Sequence, residues 1–109
     1  MGLVKSEIFT EEQNKISLLA KAFAHPARVA ILQHIFSTNS CICGDLVEEI
    51  GLAQSTISQH LKELKNIGLI SGNIEGTSVC YCIDTAKWTE MKTTINQFLN
   101  QDILNNNCC

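Results

Sequence analysis

Three observations predict a mainly α domain that carries a small β wing. Two short helical patterns, 45–50 and 54–66, stand on either side of Gly51-Leu52 as a helix-turn-helix would. Two β-rich runs around Glu75-Gly76 follow them as a hairpin. Apolar stripes at helical spacing come before and after this unit. The expected order is helix, helix, helix-turn-helix, wing, helix. All of it fits one domain over residues 1–109, with a loose arm at 1–9 and a flexible tail at 104–109.

The first helix is expected to begin near Thr10, because Glu11, Glu12 and Gln13 place acidic and polar groups where the helix dipole favours them. Its stripe is Ile16, Leu19, Ala20 and Phe23. A second helix starts at His25-Pro26, since a proline in the first turn loses no hydrogen bond. Val29, Ile31, Leu32, Ile35 and Phe36 make that helix apolar over most of its surface, so it should be central. Residues 37–40 read as a turn, and Cys41-Ile42-Cys43 as a short strand. In the helix-turn-helix, Leu46, Val47 and Ile50 face inward from the first helix, and Ile57, Leu61 and Leu64 from the second, which Gly68 stops. In the second wing strand Val79, Tyr81 and Ile83 alternate with Cys80 and Cys82, which places both cysteines on the face away from the core. Asp84 caps a last helix expected to reach Ile103. Its seam of Trp88, Met91, Ile95 and Phe98, with Leu99 beside it, suits another helix.

The second helix of the pair carries Gln54, Ser55, Thr56, Ser58, Gln59, His60 and Lys62 between its apolar positions. Gln can pair with adenine edges, Ser and Thr can serve bases or phosphates, and Lys can meet a phosphate. The net charge of −3 argues against a nonspecific nucleic-acid binder, and Arg28 is the only arginine. Site-specific binding with locally placed cations remains open to such a chain, with modest and salt-sensitive affinity. No apolar run is long enough for a transmembrane helix or a signal peptide, so no membrane partner and a cytoplasmic location are expected. The opening MGLVKS fits a myristoylation pattern and is read as chance.

Six cysteines fall as three close pairs: Cys41 and Cys43, Cys80 and Cys82, Cys108 and Cys109. In a reducing compartment they are expected as thiols. Paired thiolates select soft, thiophilic ions. If Ile42 points to the core, Cys41, Cys43, Cys80 and Cys82 share one face of the sheet. If Cys43 points inward instead, the pairs straddle it. Cys108 and Cys109 are alternative thiols on the tail. His25 and His34 read as structural.

The segments AFAHPARVAIL (22–32), GDLVEEIGLAQSTISQHLKELKNIGLI (44–70) and EGTSVCYCID (75–84) resemble the ArsR/SmtB family of bacterial metal- and metalloid-responsive repressors. The resemblance covers roughly residues 16–98. It implies a homodimeric winged-helix repressor joined through its first and last helices. Gln54, Ser55, Thr56, Ser58, Gln59 and His60 would face double-stranded operator DNA, and an inducer would cause release. Cys41-Ile42-Cys43 is similar to the Cys-x-Cys by which some members bind arsenite, antimonite, cadmium or lead. With Leu46 aligned on the family's leucine, the pair stands one residue early, because of Gly44. Residues 84–109 hold no histidine, so the zinc site that some members build on their last helices is not expected. The wing offers Asn73, Glu75 and Thr77 where family wings are often basic.

These features favour a repressor with no permanent cofactor, released when arsenite or antimonite, or another soft ion such as cadmium, lead or zinc, binds cysteine thiolates. A second reading keeps the DNA binding and makes the input a thiol oxidation or a persulfide. A thiol enzyme or metal carrier is the third. Against an enzyme, there is no Cys-x-x-Cys and no histidine near a cysteine in sequence to act as base.

Overall fold

The structure, a computed structural model, describes residues 8–39, 41–44, 46–73 and 79–103. Most of the N-terminal arm, Asp45, the wing tip with Glu75 and Thr77, and the tail with Cys108 and Cys109 lie outside the described residues.

Helix α1, Glu11–Ala20, opens on a capping box: the Thr10 hydroxyl accepts from the Gln13 N–H, and the Gln13 side chain accepts from the Thr10 N–H, each at 3.0 Å. It tightens into a 3₁₀ turn, Lys21–Phe23. The expected stripe therefore holds only in part. Leu19 is buried, but Ala22 takes the next inward place, while Ala20 and Phe23 are exposed. A 3₁₀ turn returns to the same face after three residues rather than four, so the phase shifts beyond Leu19.

Helix α2, Pro26–Ser37, has His25 as its cap, whose Nδ1 accepts from the Ala27 N–H at 3.0 Å. Ile31, Leu32 and Ile35 are buried at the centre of the core. Val29 and Phe36 point outward, and Phe36 stands edge-on to Trp88 with ring centroids 4.9 Å apart. Strand β1 is Cys41–Cys43, α3 is Val47–Ile50 and α4 is Gln54–Ile67. The first helix of the pair thus starts later than the expected Asp45. Leu46 is its cap and is drawn into the core at 1% exposure. At the other end of α4, Gly68 adopts φ +99°, the left-handed conformation that turns the chain out of a helix.

The sheet joins β1, β2 (Ile70–Asn73) and β3 (Cys80–Ile83) in the order β1-β3-β2, antiparallel throughout. Both outer strands adjoin the helix-turn-helix in the chain: β1 leads into α3, and β2 leaves α4. On the core face Tyr81, Ile83 and Ile70 are buried, and Ile42 packs against the same cluster. Asp84 accepts from the Lys87 N–H at 3.0 Å and caps α5, Thr85–Leu99. This helix ends at Leu99, with Asn100 as its cap, short of the expected Ile103, which is 93% exposed. With nothing to pack against, a further turn gains no tertiary contact to hold it. Lys15 and Glu90 tie α1 to α5 by an ion pair of 2.6 Å.

Candidate DNA-reading helix and thiol face

The amphipathic pattern of α4 sorts its side chains as expected, with one correction. Ile57, Leu61 and Leu64 are buried. Gln54, Ser55, Gln59 and Lys62 are exposed, and Thr56 and Ser58 are half-buried. The Gln54 amide lies 3.3 Å from the Ser58 hydroxyl, one turn along the same face. His60 is the exception. It is 8% exposed and turns inward, so the structure removes it from the DNA-facing set. It sits three residues after Ile57, on the same buried stripe.

His60 has partners on α2 and at its cap. Its Nδ1 accepts from Arg28 Nε at 3.1 Å, and its ring lies against that of His25 with centroids 4.5 Å apart. Arg28 also donates to the Lys21 carbonyl. Burial first, then the charges of His25 and Arg28, holds the His60 imidazole below its ordinary pKa. Sequence reasoning missed this cluster, and no local signal could have found it: Arg28 and His60 are 32 residues apart. The one arginine of the chain thus links α2, the 3₁₀ turn and α4. Lys65 is engaged as well, donating to the Gly72 carbonyl at 2.8 Å.

The sheet decides between the two arrangements of cysteines. Cys41 stands opposite Cys82, and Cys43 opposite Cys80, while Ile42 pairs with Tyr81 on the core face. Alternation along both strands therefore places all four sulfurs on the outer face. Cys41, Cys43 and Cys80 are exposed, and Cys82 is half-buried. The same rows continue into β2 with Ser71 beside Cys82 and Asn73 beside Cys80.

The expectation of thiols is not what the structure contains. Cys41–Cys82 and Cys43–Cys80 are joined as disulfides, each between directly opposed residues with Cα atoms 4.0 Å apart. The register of β1 on β3 sets each pair of sulfurs side by side on the outer face. A disulfide sulfur is no thiolate ligand. Accordingly, among the described residues no group of three or more His, Cys, Asp or Glu side chains is arranged to hold a metal ion. Opening both bonds would yield four thiols on one face, a donor set that suits a soft ion. An open cleft of about 440 Å³ runs along β1. His34 and Glu49 line it beside Cys41 and Cys43. The position of His34 seven residues before Cys41 carries no sequence signal, because the chain turns between them.

A profile of bacterial regulatory proteins of the arsR family matches residues 25–71. The chain is 36% identical over 74 residues to the HTH-type transcriptional regulator MJ1325 of Methanocaldococcus jannaschii, covering 67% of this chain and 82% of that protein. It is 36% identical over 63 residues to the HTH-type transcriptional repressor SmtB of Mycobacterium tuberculosis, covering 58% of this chain and 46% of SmtB. It therefore spans about half the length of that relative. Among solved structures, HlyU from Vibrio cholerae superimposes with a TM-score of 0.60 at 26% identity, covering 85% of this chain and 100% of HlyU. Rv0081 from M. tuberculosis superimposes with a TM-score of 0.61 at 25% identity, covering 84% of this chain and 91% of that one.

Proposed function

Since this chain belongs to the arsR family of bacterial regulatory proteins, and so is a DNA-binding transcriptional regulator rather than an enzyme, we propose that it is an inducible repressor. In this reading a homodimer binds double-stranded operator DNA in the cytoplasm. It leaves that DNA when a thiophilic ion, arsenite or antimonite before cadmium, lead or zinc, is taken up by cysteine thiolates. Gln54, Ser55, Thr56, Ser58 and Gln59 read the bases or their flanking phosphates, and Lys62 meets a phosphate.

The observation that carries the inducer is the placement of four sulfurs on one face of the sheet, next to the entry of the helix-turn-helix. In the reduced chain Cys41, Cys43, Cys80 and Cys82 supply the donors. Thiolates drawn together there change how β1 sits on β3. Because β1 leads into α3 through Gly44, that change reaches α3 and then α4. Cys108 and Cys109 are a further pair of donors by sequence.

Fluorescence anisotropy tests this reading. Fully reduced protein is bound to a labelled duplex from upstream of its own coding sequence, and arsenite, antimonite, cadmium, lead and zinc are added in turn. Release by arsenite or antimonite at near-stoichiometric amounts is expected. Retention on DNA in the presence of every ion would refute the inducer.

A further inference from the structure

The two disulfides occupy the very sulfurs that the proposed inducer needs. We infer that the β1–β3 disulfide pair is a redox lock on the inducer site: oxidation leaves the protein on DNA and makes it deaf to thiophilic ions. This inference rests on the ion-induced reading above and adds its regulation.

Three observations support it. First, all four cysteines on the sheet are consumed, in two separate bonds between partners in perfect register. No sheet thiol is left over to hold an ion weakly. Second, the oxidised chain already displays its reading face, with Gln54, Ser55, Gln59 and Lys62 exposed on an intact α4. An intact α4 with these side chains exposed is thus compatible with both disulfides being closed. The bonds fix β1 to β3 in the register that their backbone pairing shares, so they hold the entry to α3 still. Third, the sulfurs can be reached. Cys41, Cys43 and Cys80 are exposed on the outer face of the sheet, open to a small reagent.

The chemistry balances with a hydroperoxide as oxidant. A thiolate of one pair attacks the peroxide oxygen, an S–O bond forms as the O–O bond breaks, and hydroxide leaves and takes up a proton to become water. The facing thiol then displaces the hydroxyl group from that sulfur as a second water, and the S–S bond forms. Each bond thus takes two electrons and two protons from two thiols and gives two waters from hydrogen peroxide. Return requires a reductant; a phosphine does it with water, leaving two thiols and the phosphine oxide, and a small thiol does it by exchange. One such thiolate opens the bond as a mixed disulfide, and a second releases the cysteine while the two reductant sulfurs join.

The test uses the full chain with Cys108→Ser and Cys109→Ser, so that every thiol counted is on the sheet. One sample is reduced with a phosphine. The other is treated with hydrogen peroxide, which is then removed so that it cannot oxidise arsenite. Both are bound to the operator duplex and titrated with arsenite, and ion retention after gel filtration is measured separately. Peptide mapping should find Cys41–Cys82 and Cys43–Cys80 in the oxidised sample. That sample should stay bound to DNA and retain no arsenic. Its half-release concentration should rise by about 100-fold or more, and reduction with the phosphine should restore the response. The lock is overturned if the oxidised protein retains arsenic or responds as the reduced form does, if peroxide alone strips it from DNA, or if mapping finds other pairings. Reduced protein that retains arsenic but stays on DNA, while oxidised protein retains none, refutes the inducer reading and keeps the exclusion of the ion by oxidation. Reduced protein that retains no arsenic refutes the four sheet cysteines as the inducer site, and the lock with it; arsenic retention by the reduced wild type would then place the site on Cys108 and Cys109.

Discussion

His60 lies on α4, the second helix of the helix-turn-helix, yet is buried, and its proton is the reason it matters. Its Nδ1 accepts from Arg28, which only a neutral imidazole can do. Burial and the charges of His25 and Arg28 depress its folded pKa. The unfolded chain therefore takes up the proton at a higher pH than the folded one. The stability held by this contact is present in full above the ordinary histidine value of about 6.5. It is lost as pH falls from there through the lower folded value. Urea unfolding at a series of pH values between about 7.5 and 5 should show a decline for the wild type that is shallower in His60→Asn, which keeps an acceptor near Nδ1 and cannot be protonated. Equal slopes in the two proteins would dismiss His60 as the titrating group. The residue was misplaced by sequence reasoning because a polar side chain between apolar ones reads as surface. Nothing local reveals that Arg28 and His25 meet it from α2.

At the scale of elements, the wing hangs on Gly72. Its φ is +121°, and a Cβ built there would collide with the carbonyl oxygen of Cys80 and come within 2.9 Å of the Tyr81 Cα. Those atoms are backbone of the neighbouring strand and cannot swing aside. Gly72→Ala should cost about 1–3 kcal/mol in chemical denaturation, through strain and a displaced β2. A loss within about 0.5 kcal/mol would mean that β2 yields freely. Most element types and many boundaries were legible beforehand, because caps and periodicity are local: Thr10 with Gln13, His25 before Pro26, Asp84 before α5, and the alternation of Val79, Tyr81 and Ile83. The face of the four cysteines was legible only as a choice of two. Choosing required the register of β1 on β3, which is a long-range fact. The 3₁₀ turn at Lys21–Phe23 and the early end of α5 escaped because both depend on what the helix packs against, not on its own residues.

Among the described residues, apolar surface lies exposed on the first and last helices. Phe9 before α1, Leu18 on it, and Phe98 and Leu99 at the end of α5 are all more than two-fifths exposed. The ion pair of Lys15 with Glu90 holds α1 and α5 together, and the hydrogen bond from Lys15 keeps the Glu90 carboxyl charged to lower pH than usual, helped by the charges of Lys15 and Lys87. A second copy using these helices would cover that surface, as the homodimer reading requires. Analytical ultracentrifugation at micromolar concentration should therefore give a dimer. Phe98→Asp with Leu99→Asp should shift it to monomer and reduce operator binding by about tenfold or more, since one half-site alone remains. A wild-type monomer, or a doubly substituted dimer, would contradict this assembly.

The strand order has a consequence in time. β1 and β2 flank the helix-turn-helix in sequence, but both hydrogen-bond only to β3, which comes after them. The cysteines that face each other are 41 and 37 residues apart. A chain emerging from the ribosome can form its reading helix early, yet neither end of the motif is moored until residue 83 is free. The helix-turn-helix is therefore finished last, by a strand that lies outside it, and the pace at which β3 leaves the ribosome, at roughly 5–20 residues per second, outweighs the time its pairing then takes.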